Sequence, residues 1–140
     1  MIAVDTNIHI YAHDSRDARK QLTALQVIES LTSGVLLWQV ACEFLAASRK
    51  LAPQGHRTED SRAVLRDLLE VWTPAGHAWS NLDVAAELVI ASSMSWWDAL
   101  LVAACEQAGV TVLYSDDLGG RPSLRGVTFV NPFRTGDLEP

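Results

Sequence analysis

The chain has 140 residues, 49% of them hydrophobic and 20% charged, with a mean hydropathy of +0.10. That is the length of one domain with ample apolar material for a core, which excludes an intrinsically disordered chain. A net charge of -6 and a pI near 5.0 exclude a protein that coats nucleic acid by bulk electrostatics, but not a nucleic-acid enzyme whose carboxylates hold cations.

Ile2-Ala3-Val4 is a short continuous apolar run that ends in Asp5-Thr6-Asn7. A run this short suits a buried strand of a parallel sheet, covered on both faces, with Asp5 at its carboxyl end. Ligand crevices form at that end in open α/β sheets. Ile8 to Asp14 reads as a short helical turn capped by Asp5, Thr6 or Asn7. His9 and His13 stand four apart, a spacing that suits zinc, but with no third ligand nearby they read as polar residues on an exposed face.

Asp17 to Ser33 has a helical rhythm through Ala18, Leu22, Leu25, Ile28 and Leu31, with Gly34 placed as its carboxyl-terminal cap. Val35 to Trp38 reads as the second strand, and Gln39 to Leu51 as a helix carrying Glu43 in its first turns. Pro53-Gln54-Gly55-His56 is the clearest loop. The more polar helix after it, Thr58 to Leu69, carries Arg62 and Arg66, and with Arg57 it is either a solvated face or an RNA backbone contact.

Val71 to Pro74 is a brief extended segment, and Leu82 to Ala91 is another helix. Ser95-Trp96-Trp97-Asp98 opens a helix that is apolar nearly all round as far as Gln107, and so is expected to be buried. Val110 to Tyr114 is a strand that delivers Ser115-Asp116-Asp117. Gly119, Gly120 and Pro122 make a loop, and Val127 to Val130 is the last strand. Cys42 and Cys105 form no C-x-x-C pair and read as reduced core residues.

Strands alternating with helices indicate a mostly parallel α/β sheet flanked by helices, in a single domain over residues 1–133 with a frayed tail at 134–140. Right-handed crossovers bring Asp5 and Asp116-Asp117 to one edge of that sheet, whereas the arrival of Asp98 is not guaranteed by topology. No apolar run reaches the roughly 20 residues of a membrane helix, and Asp5 interrupts the segment where a signal peptide would need apolar continuity. Cytoplasmic residence without membrane association is expected.

Asp5, Glu43, Asp98 and one of Asp116 and Asp117 each sit at a strand end or in the first turns of a helix. Buried carboxylates without basic partners require raised pKa values or a cation, and a hard divalent ion such as Mg²⁺ is the natural one. Each acid also has a structural explanation. Asp5 fits a helix cap, Ser95-x-x-Asp98 fits a capping box, Glu43 a surface position and Asp116-Asp117 a turn.

The apolar strand ending in Asp5-Thr6-Asn7, the Glu43 helix, Ser95-Trp96-Trp97-Asp98-Ala99-Leu100, Leu113 to Leu118 and Val130-Asn131-Pro132-Phe133 together resemble a PIN domain. More narrowly, they resemble the VapC-type toxins of bacterial toxin–antitoxin pairs. The resemblance implies a three-layer PIN-like fold and an Mg²⁺- or Mn²⁺-dependent endoribonuclease that hydrolyses RNA phosphodiester bonds with a metal-activated water. It also implies inhibition by a small cognate antitoxin, and a homodimer.

By position, Asp5, Glu43, Asp98 and Asp117 match the family's catalytic acids, and Asp5, Asp98 and Asp117, with Asp116 beside it, its metal ligands. Thr6 and Ser115 match hydroxyls that orient the carboxylates, and Asn7 a brace for the loop. Apolar residues on the early helices, near Leu22 and Phe44, are the expected antitoxin surface. RNA binding by so acidic a chain must rely on local groups such as Arg49, Lys50 or Arg57. Two rival functions are a magnesium phosphohydrolase, disfavoured by Asn7 where a D-x-D pattern needs a second Asp, and an interaction module whose acids are caps.

Overall fold

Ile2–Val4 forms β1, the strand through which the sheet is organised in the computed structural model, which describes residues 1–118 and 120–134. β1 is paired in parallel on one side with β2 (Gly34–Leu37) and on the other with β4 (Val112–Tyr114). Beyond β2 lies β3 (Thr73–Ala75), also parallel, and beyond β4 lies β6 (Val127–Val130), parallel again. The two-residue strand β5 (Ser123–Leu124) pairs with β6 antiparallel and closes the order β3-β2-β1-β4-β6-β5. This is the mostly parallel α/β sheet that the sequence predicts. Every residue of β2 is buried, as befits strands covered on both faces.

Among the described residues six α-helices flank the sheet: α1 (Thr6–Tyr11), α2 (Ala18–Ser30), α3 (Trp38–Ala47), α4 (Thr58–Leu69), α5 (Ser80–Ser92) and α6 (Trp96–Gln107). Ala99 to Cys105 of α6 are all buried, so its uniformly apolar composition is explained by contact with other elements all round. Leu101, Ala104 and Cys105 pack into the main core with Val4, Leu37 and Leu113. Leu100, Val102 and Ala103 pack with Ala85, Leu88 and Met94 in a second cluster.

Several local expectations are corrected. Gly34 does not cap α2, which ends at Ser30, but begins β2. A Cβ there would lie 2.6 Å from the Trp72 ring, so the glycine admits a buried indole whose Nε1 donates to the Leu31 carbonyl at 3.0 Å. The helix expected over Gln39 to Leu51 stops at Ala47 and continues as a 3-10 helix, Ser48–Gln54. Pro53 lacks an N–H and crowds the preceding turn, so an α-helix cannot run through it. Gly55, at φ 85°, then turns the chain.

Cys42 is exposed on α3, not in the core, whereas Cys105 is buried. His9 is 3% exposed, wedged between the Phe44 and Trp72 rings, so it is a core residue and not part of a solvated face. Phe44 is likewise buried and offers nothing to a partner, while Leu22 is exposed. Of the tail expected over 134–140, all but Arg134 lies outside the described residues. Among the described residues no helix is long and apolar enough to cross a membrane.

Because β1, β2, β3, β4 and β6 run parallel, their carboxyl ends share one edge. Asp5, Trp38, Gly76, Ser115 and Asn131 are the residues that follow them.

Candidate active site

Asp5 leaves β1 as the N-cap of α1, so the capping explanation is correct as far as it goes. Its Oδ1 accepts the Thr6 backbone N–H at 2.7 Å. A cap needs only that one acceptor, yet Oδ2 is also engaged, by the hydroxyl of Ser115 at 2.8 Å. Burial pushes the Asp5 carboxyl up to about 6, against these two hydrogen bonds, and repulsion from Glu43 and Asp98 adds to the rise.

Glu43 reaches the same edge from the second turn of α3. Thr6 donates its hydroxyl to Oε2 at 3.0 Å, and Gln39 donates its amide to Oε1 at 2.9 Å. The Gln39 amide nitrogen also donates to the Trp97 carbonyl at 3.1 Å, which ties α3 to the first turn of α6. Gln39 is itself buried. Sequence reasoning misses its part, although Gln39 and Glu43 stand four apart on a helix and so share a face.

Asp98 lies in the first turn of α6, where Ser95 is the N-cap and accepts the Asp98 backbone N–H at 3.2 Å. Burial raises the Asp98 pKa, a hydrogen bond from Ser95 opposes the rise, and repulsion from Asp117 and Glu43 adds to it. The Ser95 cap and the approach to the other acids therefore coexist. β4 supplies the last acid: the Ser115 hydroxyl that serves Asp5 also accepts the Asp117 backbone N–H, at 3.3 Å.

Asp5, Glu43, Asp98 and Asp117 thus stand within electrostatic reach of one another through the pairs Asp5–Glu43, Asp5–Asp98, Asp98–Glu43 and Asp98–Asp117. Asp116 lines a small recess with Ser115, Arg121, Phe129, Asn131 and Arg134, where its buried Oδ1 accepts no hydrogen bond from the described residues. Asn7, in the first turn of α1, makes no side-chain hydrogen bond to another described residue.

None of the four acids has an ion-pair partner among the described residues, where the salt bridges involve Asp14, Glu59, Asp60 and Glu106. Carboxylates that run from buried Asp5 through half-buried Glu43 and Asp98 to exposed Asp117, without a cationic side chain among them, are the donor chemistry of a hard divalent ion. No group of three His, Cys, Asp or Glu side chains among the described residues is placed to hold a metal ion.

Residues 2–119 match the family model of the PIN domain. The chain belongs to the PIN domain family. No curated protein matches it. Among solved structures, this PIN domain is similar to Mycobacterium tuberculosis VapC20, described as a sarcin-ricin loop cleaving toxin. The two are 23% identical with a TM-score of 0.66, over 84% of this chain and 90% of that one. A toxin–antitoxin complex from Klebsiella pneumoniae matches at 16% identity and TM-score 0.70, over 95% and 98%. VapBC2 from Rickettsia felis, bound to a DNA fragment from its promoter, matches at 13% identity and TM-score 0.62, over 92% and 97%. At these identities the likeness is one of fold.

Proposed function

We propose that this PIN domain is a divalent-metal-dependent endoribonuclease of the VapC type, the toxin of a toxin–antitoxin pair. The observation that carries the reading is Asp5. It is a carboxylate 9% exposed with a pKa of about 6, hydrogen-bonded on both oxygens, facing two further acids, and without a cationic partner among the described residues. A stability-driven core would not retain such a group, because uncompensated buried charge is costly.

In this reading Asp5 and Asp98 hold the ion, with Asp117 and Glu43 acting directly or through water. When bound, Mg²⁺ or Mn²⁺ supplies positive charge against the phosphate and Lewis acidity toward a phosphoryl oxygen. Ser115 and Thr6 fix the two Asp5 oxygens before substrate arrives, and Gln39 and Thr6 fix those of Glu43, so the carboxylates need little reorganisation. Glu43 keeps a free lone pair on each oxygen, with which it accepts a proton from the attacking water.

The similarity to toxin–antitoxin structures supports a small antitoxin as partner, and a second copy of the chain belongs to the same reading. The test is incubation of the purified protein with structured and unstructured RNAs. Cleavage in Mn²⁺ or Mg²⁺ that stops with EDTA is expected, and cleavage undiminished by EDTA contradicts the reading.

A further inference from the structure

We infer that the RNA strand is held beside the acid cluster by a phosphate-binding pocket formed by Arg19, Lys20 and Arg134, an inference that rests on the ribonuclease reading above. A chain of net charge -6 cannot draw in RNA by its overall field, so the attraction must come from cations not already neutralised. Many are neutralised or engaged elsewhere. Arg16 pairs with Asp14, Arg57 with Glu59 and Asp60, and Arg125 with Glu106, while Arg121 donates to the Ser92 carbonyl.

Arg19, Lys20 and Arg134 differ in lining one open cavity of about 460 Å³, at the start of α2 and the end of β6. The Lys20 ammonium is held over aromatic faces, 4.7 Å from the Tyr11 ring centroid and 5.6 Å from that of Phe133. Those two rings meet edge to face at 5.1 Å. The rings attract and position the ammonium without cancelling its charge, as a carboxylate would. Asp17, the acid of this pocket, accepts the Lys20 backbone N–H at 3.1 Å as the α2 cap, and Arg134 also borders the recess of Asp116, so Arg19 and Lys20 are the cations that this pocket alone holds.

The pocket lies on the edge that carries the acids. Pro132 to Arg134 continue directly from β6, which pairs with β4, and β4 pairs with β1. Two strand spacings, roughly 10 Å, separate the ends of β1 and β6. A strand cut at the acid cluster therefore has a nearby phosphate over this pocket. Arginine offers that phosphate a planar fork and lysine a point charge.

The test measures initial rates of RNA cleavage in Mn²⁺ across a salt series for wild type, Arg19→Gln, Lys20→Gln, Lys20→Arg and Arg125→Gln, each checked for an unchanged melting temperature. Lys20→Gln and Arg19→Gln are expected to raise KM several-fold with kcat nearly unchanged, and to flatten the log–log salt dependence by about 0.7 for each phosphate charge no longer neutralised. Lys20→Arg restores KM, and Arg125→Gln, at a cation already paired with Glu106 before the amino end of β6, matches wild type. Wild-type KM and salt slope in both glutamine variants, with cleavage intact, overturn the pocket and leave the ribonuclease reading standing. Inorganic phosphate binding that disappears in Lys20→Gln, with RNA kinetics unchanged, assigns the pocket to free phosphate and overturns strand docking. A wild type that cleaves no RNA overturns both.

Discussion

The Ser115 hydroxyl donates to Asp5 Oδ2 at 2.8 Å, joining the ends of β4 and β1 across 110 residues of chain. The same oxygen accepts the Asp117 backbone N–H, so one side chain sets two of the four acids. Ser115→Ala leaves a buried carboxylate oxygen without its donor, and hydrogen bonds to charged groups contribute about 1.5–3 kcal/mol. Denaturant unfolding at pH 7 is expected to show a loss of that order. The acidic limb of the cleavage pH profile is expected to move upward, because a hydrogen bond that lowers the Asp5 pKa is gone. Ser115→Thr, which keeps the hydroxyl, restores both.

Asp5 also gives a signed dependence of stability on pH. Its folded pKa of about 6 lies above the unfolded value of 3.8, so the folded chain binds the extra proton in that window and stability falls as pH rises through it. The difference is worth about 3 kcal/mol. Without metal, Asp5→Asn is expected to be more stable than wild type at pH 7 by up to that amount, with the gap closing toward pH 4. Urea unfolding of both proteins across this range is the check; a gap that widens toward acid contradicts the burial account.

His9 acts with the opposite sign. Burial, with repulsion from His13, lowers its pKa to about 4 from 6.5, while a hydrogen bond to the Val4 backbone opposes the shift. The unfolded chain therefore binds the proton first, and stability is lost as pH falls through that window. Its Nε2 is buried with no hydrogen-bond partner among the described residues, and the Phe44 and Trp72 rings flank it. His9→Phe keeps an aromatic ring in that space. Relative to wild type it is expected to gain stability progressively as pH is lowered from 6.5 to 4, read by urea unfolding.

Gln39 is a positioning residue for Glu43, linking it to the Trp97 carbonyl at the start of α6. Gln39→Ala is expected to lower kcat about tenfold, a typical cost of losing an oriented acid–base group's support, with KM less affected. Equal losses of kcat and folded population, measured by activity beside circular dichroism, would make the effect structural only.

Much of this arrangement is legible in the sequence because it is local. An apolar run too short for a helix, ending in Asp5, reads as a strand with an acid at its tip, and Ala99 to Cys105 reads as a buried helix. Tertiary causes are not legible. Gly34 has the look of a helix cap until the Trp72 ring is seen against it, and β5 is two residues long. His9 lies on a short helix whose inward direction depends on where Phe44 of α3 and Trp72 come to rest. Asp98 reaches the other acids through helix packing that no strand order dictates. The choice between Asp116 and Asp117 also turns on which side chain faces Asp98 and which the β6 side.

The most direct measurement is to induce the chain and its Asp98→Asn variant in parallel and map new RNA ends across total cellular RNA. Wild type is expected to produce discrete new ends that are absent with Asp98→Asn at equal protein levels. The same ends in both, or none in either, would contradict metal-assisted RNA cleavage at the acid cluster.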